Sequence, residues 1–244
     1  MSNPYEFYLK QMHTKTGFRA TWDPGRPLKL GQIGKLDQSG IFTVYSDLED
    51  EGIPVRVSPA GAVSELDYTS HASVSVTAKL SGELPLAGSA FLQADAGFSF
   101  EFKSAESIVF QASGCRTFQI DNTAAIEAAV LKKYNRGHWE KDWLIVGQLI
   151  VAESATILIA NSENAILELK AHAKGSATSV KLTNGALQLA VAREQGSILK
   201  FITQSALTPL YRLMGIRKPL LEDPGLFTKG VEDEAITGDL RFQE

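Results

Sequence analysis

The sequence predicts an α+β fold, a twisted and mostly antiparallel sheet with a few packed helices and a C-terminal tail. Three observations predict it. Stretches between Ser73 and Lys103 alternate apolar and polar residues with the period of a strand, because successive strand side chains point to opposite faces. The segment Ala124–Tyr134 is rich in good helix formers and is bracketed by cap residues and a glycine, the signature of a packed helix. No period of roughly 20 to 50 residues recurs, which sets aside solenoids and propellers. A chain of 244 residues, 44% apolar and 21% charged, can bury a core without disulfides or metal. With 20 Gly and 9 Pro, it is neither collagen-like nor of low complexity.

The elements follow in order. Asn3 before Pro4, with Glu6 three residues after Asn3, combines a cap, a first-turn proline and a reciprocal acid, predicting a short helix over 4–12. Trp22-Asp-Pro-Gly25 reads as a turn, since Pro presets φ and Gly accepts positive φ. Apolar residues from Leu28 to Val44, broken by Gly31, Gly34 and Gly40, read as short strands or extended loops. Val74, Val76, Ala78 and Leu80 then share one face. After a break at 82–88, Ala90, Leu92, Ala94, Ala96, Phe98, Phe100 and Phe102 share another. This second run is about 14 residues long, against roughly five or six for an ordinary strand, and the two runs predict a long hairpin or neighbouring strands. The helix over 124–134 ends at Lys132, Lys133 and Arg136, where the macrodipole favours cations, with Gly137 as its stop. Strand-like runs follow at 143–152, 155–160 and 165–173, then a hairpin over 179–192 around Asn184-Gly185. Thr208-Pro209 with Gly215 predicts a short capped helix.

Charge divides the chain into a core domain over 1–221 and an acidic tail over 222–244. The formal charge of −4 is made of a tail at −5, with seven acids against Lys229 and Arg241, and a body at +1. The tail reads either as a frayed terminus or as a regulatory strap. Leu226, Phe227, Ile236, Leu240 and Phe242 are spaced apolar anchors that a purely solvating tail does not need.

The near-neutral balance offers no electrostatic footprint for nucleic acid. The lone Cys115 excludes a disulfide framework and fits a reducing compartment. The N-terminus has no basic leader followed by an apolar core, which argues against a secretory signal. Enzyme signatures are absent: no nucleophile elbow, no Walker loop, no paired metal-ligand spacing among His13, His71, His138 and His172. No catalytic, metal-binding or cofactor-binding residue is assigned, and the chain is read as not an enzyme. Leu30-Gly31-Gln-Ile-Gly34 lacks the third glycine of a dinucleotide fingerprint and reads as a turn. The polar cluster from Arg136 to Trp143, with His138 beside Glu140 and Asp142, reads as a surface loop anchored by Trp139 and Trp143. A third possibility, an enzyme using His138, rests on that cluster alone.

The longest apolar run, Trp143–Ala152, falls short of the roughly 20 residues of a spanning helix. The alternating runs suit two roles. They fit an amphipathic sheet with one face on a core, or strands of a membrane barrel, each needing about 9 to 11 residues and presenting polar side chains to a wet lumen.

Three features in order resemble the pore-forming domain of the gasdermins: the alternating hairpin, the helix ending Lys132-Lys133-Tyr134, and the Trp-led strand Trp143–Ile157. The resemblance is one of pattern and order over most of 1–221. It implies a twisted antiparallel sheet kept soluble by a C-terminal segment, here 222–244, held by the anchors named above. It further implies removal of that segment by an unidentified protease, followed by homo-oligomerisation into β-barrel pores. The strands around 73–103 and 143–173 would then insert into a lipid membrane. On this resemblance the latent protein is cytoplasmic and acts at the inner face of the cell membrane, in cell death or antiviral defence, without a cofactor. Many bacterial members carry an acylated cysteine near the N-terminus. Here the cysteine is Cys115, which implies activation without a lipid anchor or a divergent branch. The alternative is a non-enzymatic binding or assembly module of a larger cytoplasmic complex.

Overall fold

The computed structural model describes residues 4–21, 27–38, 40–70, 74–78, 98–171, 189–217 and 225–229. In chain order these form α1 (Pro4–Thr16), β1 (Arg19–Ala20), β2 (Gln32–Leu36), β3 (Phe42–Asp47), β4 (Ser64–Thr69), β5 (Val74–Ala78), β6 (Phe98–Phe102) and β7 (Ser107–Gln119). Then come α2 (Thr123–Asn135), β8 (Leu144–Ala160), β9 (Ala165–Ala171), β10 (Leu189–Gln195), β11 (Ile198–Arg217) and β12 (Gly225–Lys229). Every registered strand pair among the described residues is antiparallel. The fold is α+β, as the sequence predicts.

Helix α1 carries Glu6 in its first turn and runs one turn beyond the expected end, with His13 and Lys15 in its last turn. It stops at Gly17, whose φ of +69° lets its N–H reach the His13 carbonyl at 2.7 Å. Helix α2 closes in the same way and more completely. Gly137 (φ +74°) donates to Tyr134 O at 2.9 Å and His138 N–H to Lys133 O at 2.9 Å, the paired bonds of a Schellman stop. Its other end differs from expectation. Asn122 sits at the cap position without a side-chain cap bond. Its Oδ1 instead accepts from Arg56 N–H at 2.9 Å, and its Nδ2 donates to Pro54 O at 2.9 Å.

The chain forms two compact units, residues 1–8, 63–115 and 152–207, and residues 9–62, 116–151 and 208–244. The second unit contains the strand order β1-β11-β8-β2-β3, with β12 also on β11. Its core brings Ile33, Ile126, Val130, Trp139, Ile145 and Ile216 together with Leu48, Ile53 and Ile120. A separate cluster holds Leu144, Val146, Leu149, Tyr211 and Leu213. Successive residues 144, 145 and 146 of β8 thus belong to different clusters, and this part of the strand is covered on both faces.

Two sequence expectations are corrected here. Residues 208–215 are not a helix but part of the 20-residue β11. Leu207, Thr208, Leu210, Tyr211 and Leu213 are all buried, and a strand covered on both faces loses the alternation by which strands are recognised. Gly215 is not a helix stop: a Cβ there would lie 2.6 Å from Leu144 Cδ2, so the glycine permits close strand packing. The runs at 143–152 and 155–160 are one strand of 17 residues, β8. The Trp22–Gly25 turn and the Asn184-Gly185 turn lie outside the described residues.

Candidate functional site

The first unit holds a four-stranded sheet in the order β10-β9-β6-β5. Its register follows from matching apolar faces. Val74, Val76 and Ala78 pair with Phe102, Phe100 and Phe98, and the same three phenylalanines pair with Ala165, Leu167 and Leu169. Residues directly opposite in a ladder share a face, so one face of β5, β6 and β9 is apolar throughout. Phe100 and Phe102 are 1% exposed, and Ala165, Leu167 and Leu169 are fully buried. The opposite face carries Ser75 and Ile166 flanking Glu101, and Thr77 and Glu168 flanking Ser99, which is buried. Glu101 is exposed. β10 joins through Leu189, Ala190 and Val191 and shifts register at Ala192 before Arg193 meets Glu168.

Four strands enter or leave this sheet at one end. Phe102 pairs with both Val74 and Ala165, and Ile166 pairs with Gln195. The described turns at that end are 103–106, 161–164 and 196–197. At the other end β5 ends at Ala78, β6 begins at Phe98, β9 ends at Ala171 and β10 begins at Leu189. Next to the sheet, β4 pairs with β7, with a shift between Ser64 and Leu66 opposite Cys115 and Ala112. Gly114 sits in that bulge at φ +62° with the Glu153 side chain over it.

Of the residues expected to insert, Val74, Val76, Ala78, Phe98, Phe100 and Phe102 lie on β5 and β6 as described. Leu80, Ala90, Leu92, Ala94 and Ala96 lie outside the described residues, as do Ile236, Leu240 and Phe242 of the tail. Leu226 and Phe227 are on β12, where their backbones register with Ile216 and Gly215 of β11. The apolar positions of β9 were missed as site residues. The alternation Leu167-Glu168-Leu169-Lys170 marks them, but Ile166 interrupts it on the polar side.

The residues weighed for other chemistry are placed as follows. Gly31, at φ +84°, makes a turn, and Gly34 lies at a bulge between β2 and β3. A shallow cleft of about 260 Å³ beside them is lined by Asp47 and Glu49 as well as Lys29, carboxylates that repel a phosphate. His138, Glu140 and Asp142 are exposed. Lys35 binds both Glu140 and Asp142, and hydrogen bonds to Glu140 and then Asp142 hold its ammonium above its ordinary pKa. Trp139 is buried and meets Trp143 edge-on at 5.2 Å, the anchoring expected of this loop. Burial pushes the Cys115 thiol up to about 11, leaving it protonated and poorly nucleophilic at neutral pH. Among the described residues no three His, Cys, Asp or Glu gather as metal ligands. Among them, too, no helix is long and apolar enough to cross a membrane.

Comparison with known proteins adds the following. The chain is similar to the structure of a bacterial gasdermin from Bradyrhizobium tropiciagri, at 12% identity and a TM-score of 0.40, over 90% of this chain and 89% of that one. It is similar also to the cryo-EM structure of the gasdermin A3 membrane pore, at 9% identity and a TM-score of 0.37, over 91% and 93%. Both are gasdermins. No family model and no curated protein matches the sequence.

Proposed function

We propose that this chain is a latent pore-forming protein whose four-stranded sheet supplies the wall of an oligomeric β-barrel. The observation that carries the reading is the apolar face that runs in register across β5, β6 and β9. A barrel strand needs one apolar and one polar face, and closure of antiparallel strands satisfies every backbone group without a helix. β5 and β6 are five residues each, about 17 Å at the usual rise, short of a bilayer core of about 30 Å. The alternation of 89–103 continues beyond β6 and supplies the missing length.

In this reading 222–244 is a regulatory segment. Its described part adds β12 to β11 over Leu213–Arg217, so it binds the resting state through backbone hydrogen bonds. A segment that binds one state stabilises it by its differential affinity and loses that hold when cut. Proteolysis within 218–224 then shifts the population towards membrane insertion and self-assembly at the cytoplasmic face. The chemistry is assembly rather than catalysis, and the outcome is loss of the membrane barrier, as in cell death or defence against phage.

The test uses the full chain carrying a protease site within 218–224, folded first and then cut. Cut protein is expected to release dye from liposomes containing anionic lipid, and uncut protein to leave them sealed. Equal inertness of both on neutral and anionic vesicles would remove the reading in favour of an assembly module.

A further inference from the structure

Of three turns at the root of the four-stranded sheet, two are tied to each other and the third to the strand end between them. Ser197 N–H donates to Ser162 Oγ at 2.9 Å, and Asn161 N–H donates to Ser197 O at 2.8 Å. The turn before β7 joins the same end, with Glu106 N–H on Ala160 O at 2.8 Å. The packing is close. A Cβ on Gly196 (φ +83°) would stand 2.5 Å from Ser162 Oγ and 3.0 Å from the Ala165 Cβ.

The turns are also held against local preference. Glu106 sits at φ 64° and Asn164 at φ 55°. Asn tolerates the left-handed region, but for Glu its Cβ crowds the following carbonyl. An extended backbone at 103–106, 161–164 and 196–197 would join β6 to β7, β8 to β9 and β10 to β11. Such joining lengthens β6, β9 and β10, three of the four barrel strands, from their rooted ends, and it requires all three turns to open.

We infer that these turns form one latch, closed by Ser162 and opposed by the strained backbone of Glu106, which sets the rate at which the resting sheet converts to continuous strands. The inference rests on the barrel reading above. It assigns Ser162 as a positioning residue, since its hydroxyl holds the Ser197 amide.

The two residues act with opposite sign. Ser162→Ala removes the acceptor and should speed amide exchange at Ser197 about fivefold in solution, the worth of one hydrogen bond. It should shorten the lag of dye release after cutting by a similar factor. Glu106→Gly relieves the strain and weakens strand propensity, so it should lengthen the lag about fivefold. Both are measured on the full chain with the inserted protease site, on vesicles of phosphatidylcholine and phosphatidylserine.

Unchanged exchange at Ser197 in Ser162→Ala overturns the latch. So does faster exchange with lag times equal to the parent's in both variants, and in that case the barrel reading stands. Absence of release from every cut protein, the parent included, overturns both. A shortened lag for Ser162→Ala with a lengthened lag for Glu106→Gly supports the latch.

Discussion

At the scale of single residues, glycines stand where side chains crowd or the chain turns back. Gly114 combines the two demands: it is left-handed, and a Cβ on it would lie 2.6 Å from Glu153 Cγ. Gly114→Ala is therefore expected to cost about 2 kcal/mol, from the left-handed backbone and the overpacked contact together. Chemical denaturation measures it, and adding Glu153→Ala should restore the share of the packing cost that comes from Cγ and Cδ, while leaving the Cβ contact at 2.8 Å and the backbone share. A double mutant no more stable than Gly114→Ala would assign the effect to the backbone and that Cβ contact. Nothing in the sequence around Gly114 announced this, because Ser113-Gly114 reads equally well as a break between strands.

At the scale of elements, legibility followed exposure. α2 buries Ile126 and Val130 on one side, and β6 alternates phenylalanines with Ser99 and the exposed Glu101, so both were readable, α2 from its helix formers and β6 from its two-residue period. β11 was not. Its central residues are covered on both sides, so Thr208-Pro209 and Gly215 supplied local helix signals that tertiary burial overrode. β8 was read as two runs because Glu153 interrupts its apolar residues, yet Glu153 is exposed and simply lies across Gly114. The candidate sheet was legible on β5 and β6 as a pair of faces. Its partnership with β9 was not, since sequence alternation says which face is apolar but not which strand lies beside it.

Asn122 belongs to this scale as well. Asn is a residue type favoured at helix starts, but here its side chain ties the segment at Pro54 and Arg56 to the start of α2. Asn122→Ala should lower stability by about 1 to 2 kcal/mol by stranding both partners. Asn122→Asp keeps the acceptor and loses the donor, so it should retain roughly half of that stability. Urea unfolding of the three proteins checks the order, and an Asp variant as damaged as the Ala variant would assign the bond energy to Nδ2 alone.

For the whole molecule, the proposed pore would make the polar face of the four-stranded sheet the wall that ions meet. Glu101 is exposed on that face, in register with Ser75. Glu101→Lys should change folding stability by no more than about 0.5 kcal/mol, the usual range for surface substitutions. In a planar bilayer under a salt gradient, it should move the reversal potential of the pores towards anion preference. An unmoved reversal potential with intact conductance would place Glu101 away from the lumen.

The order β10-β9-β6-β5 also carries a rule of symmetry. Among the described residues β5 and β10 each have a single partner in this sheet, and alternating strand directions leave them pointing opposite ways. The β10 edge of one copy can therefore meet the β5 edge of the next in antiparallel register, using two different surfaces. Such head-to-tail joining has no two-fold axis between neighbours, and it gives a cyclic ring where the rotation between copies closes. In the proposed ring each subunit would contribute four strands, so whatever the number of copies, the strand count would be a multiple of four.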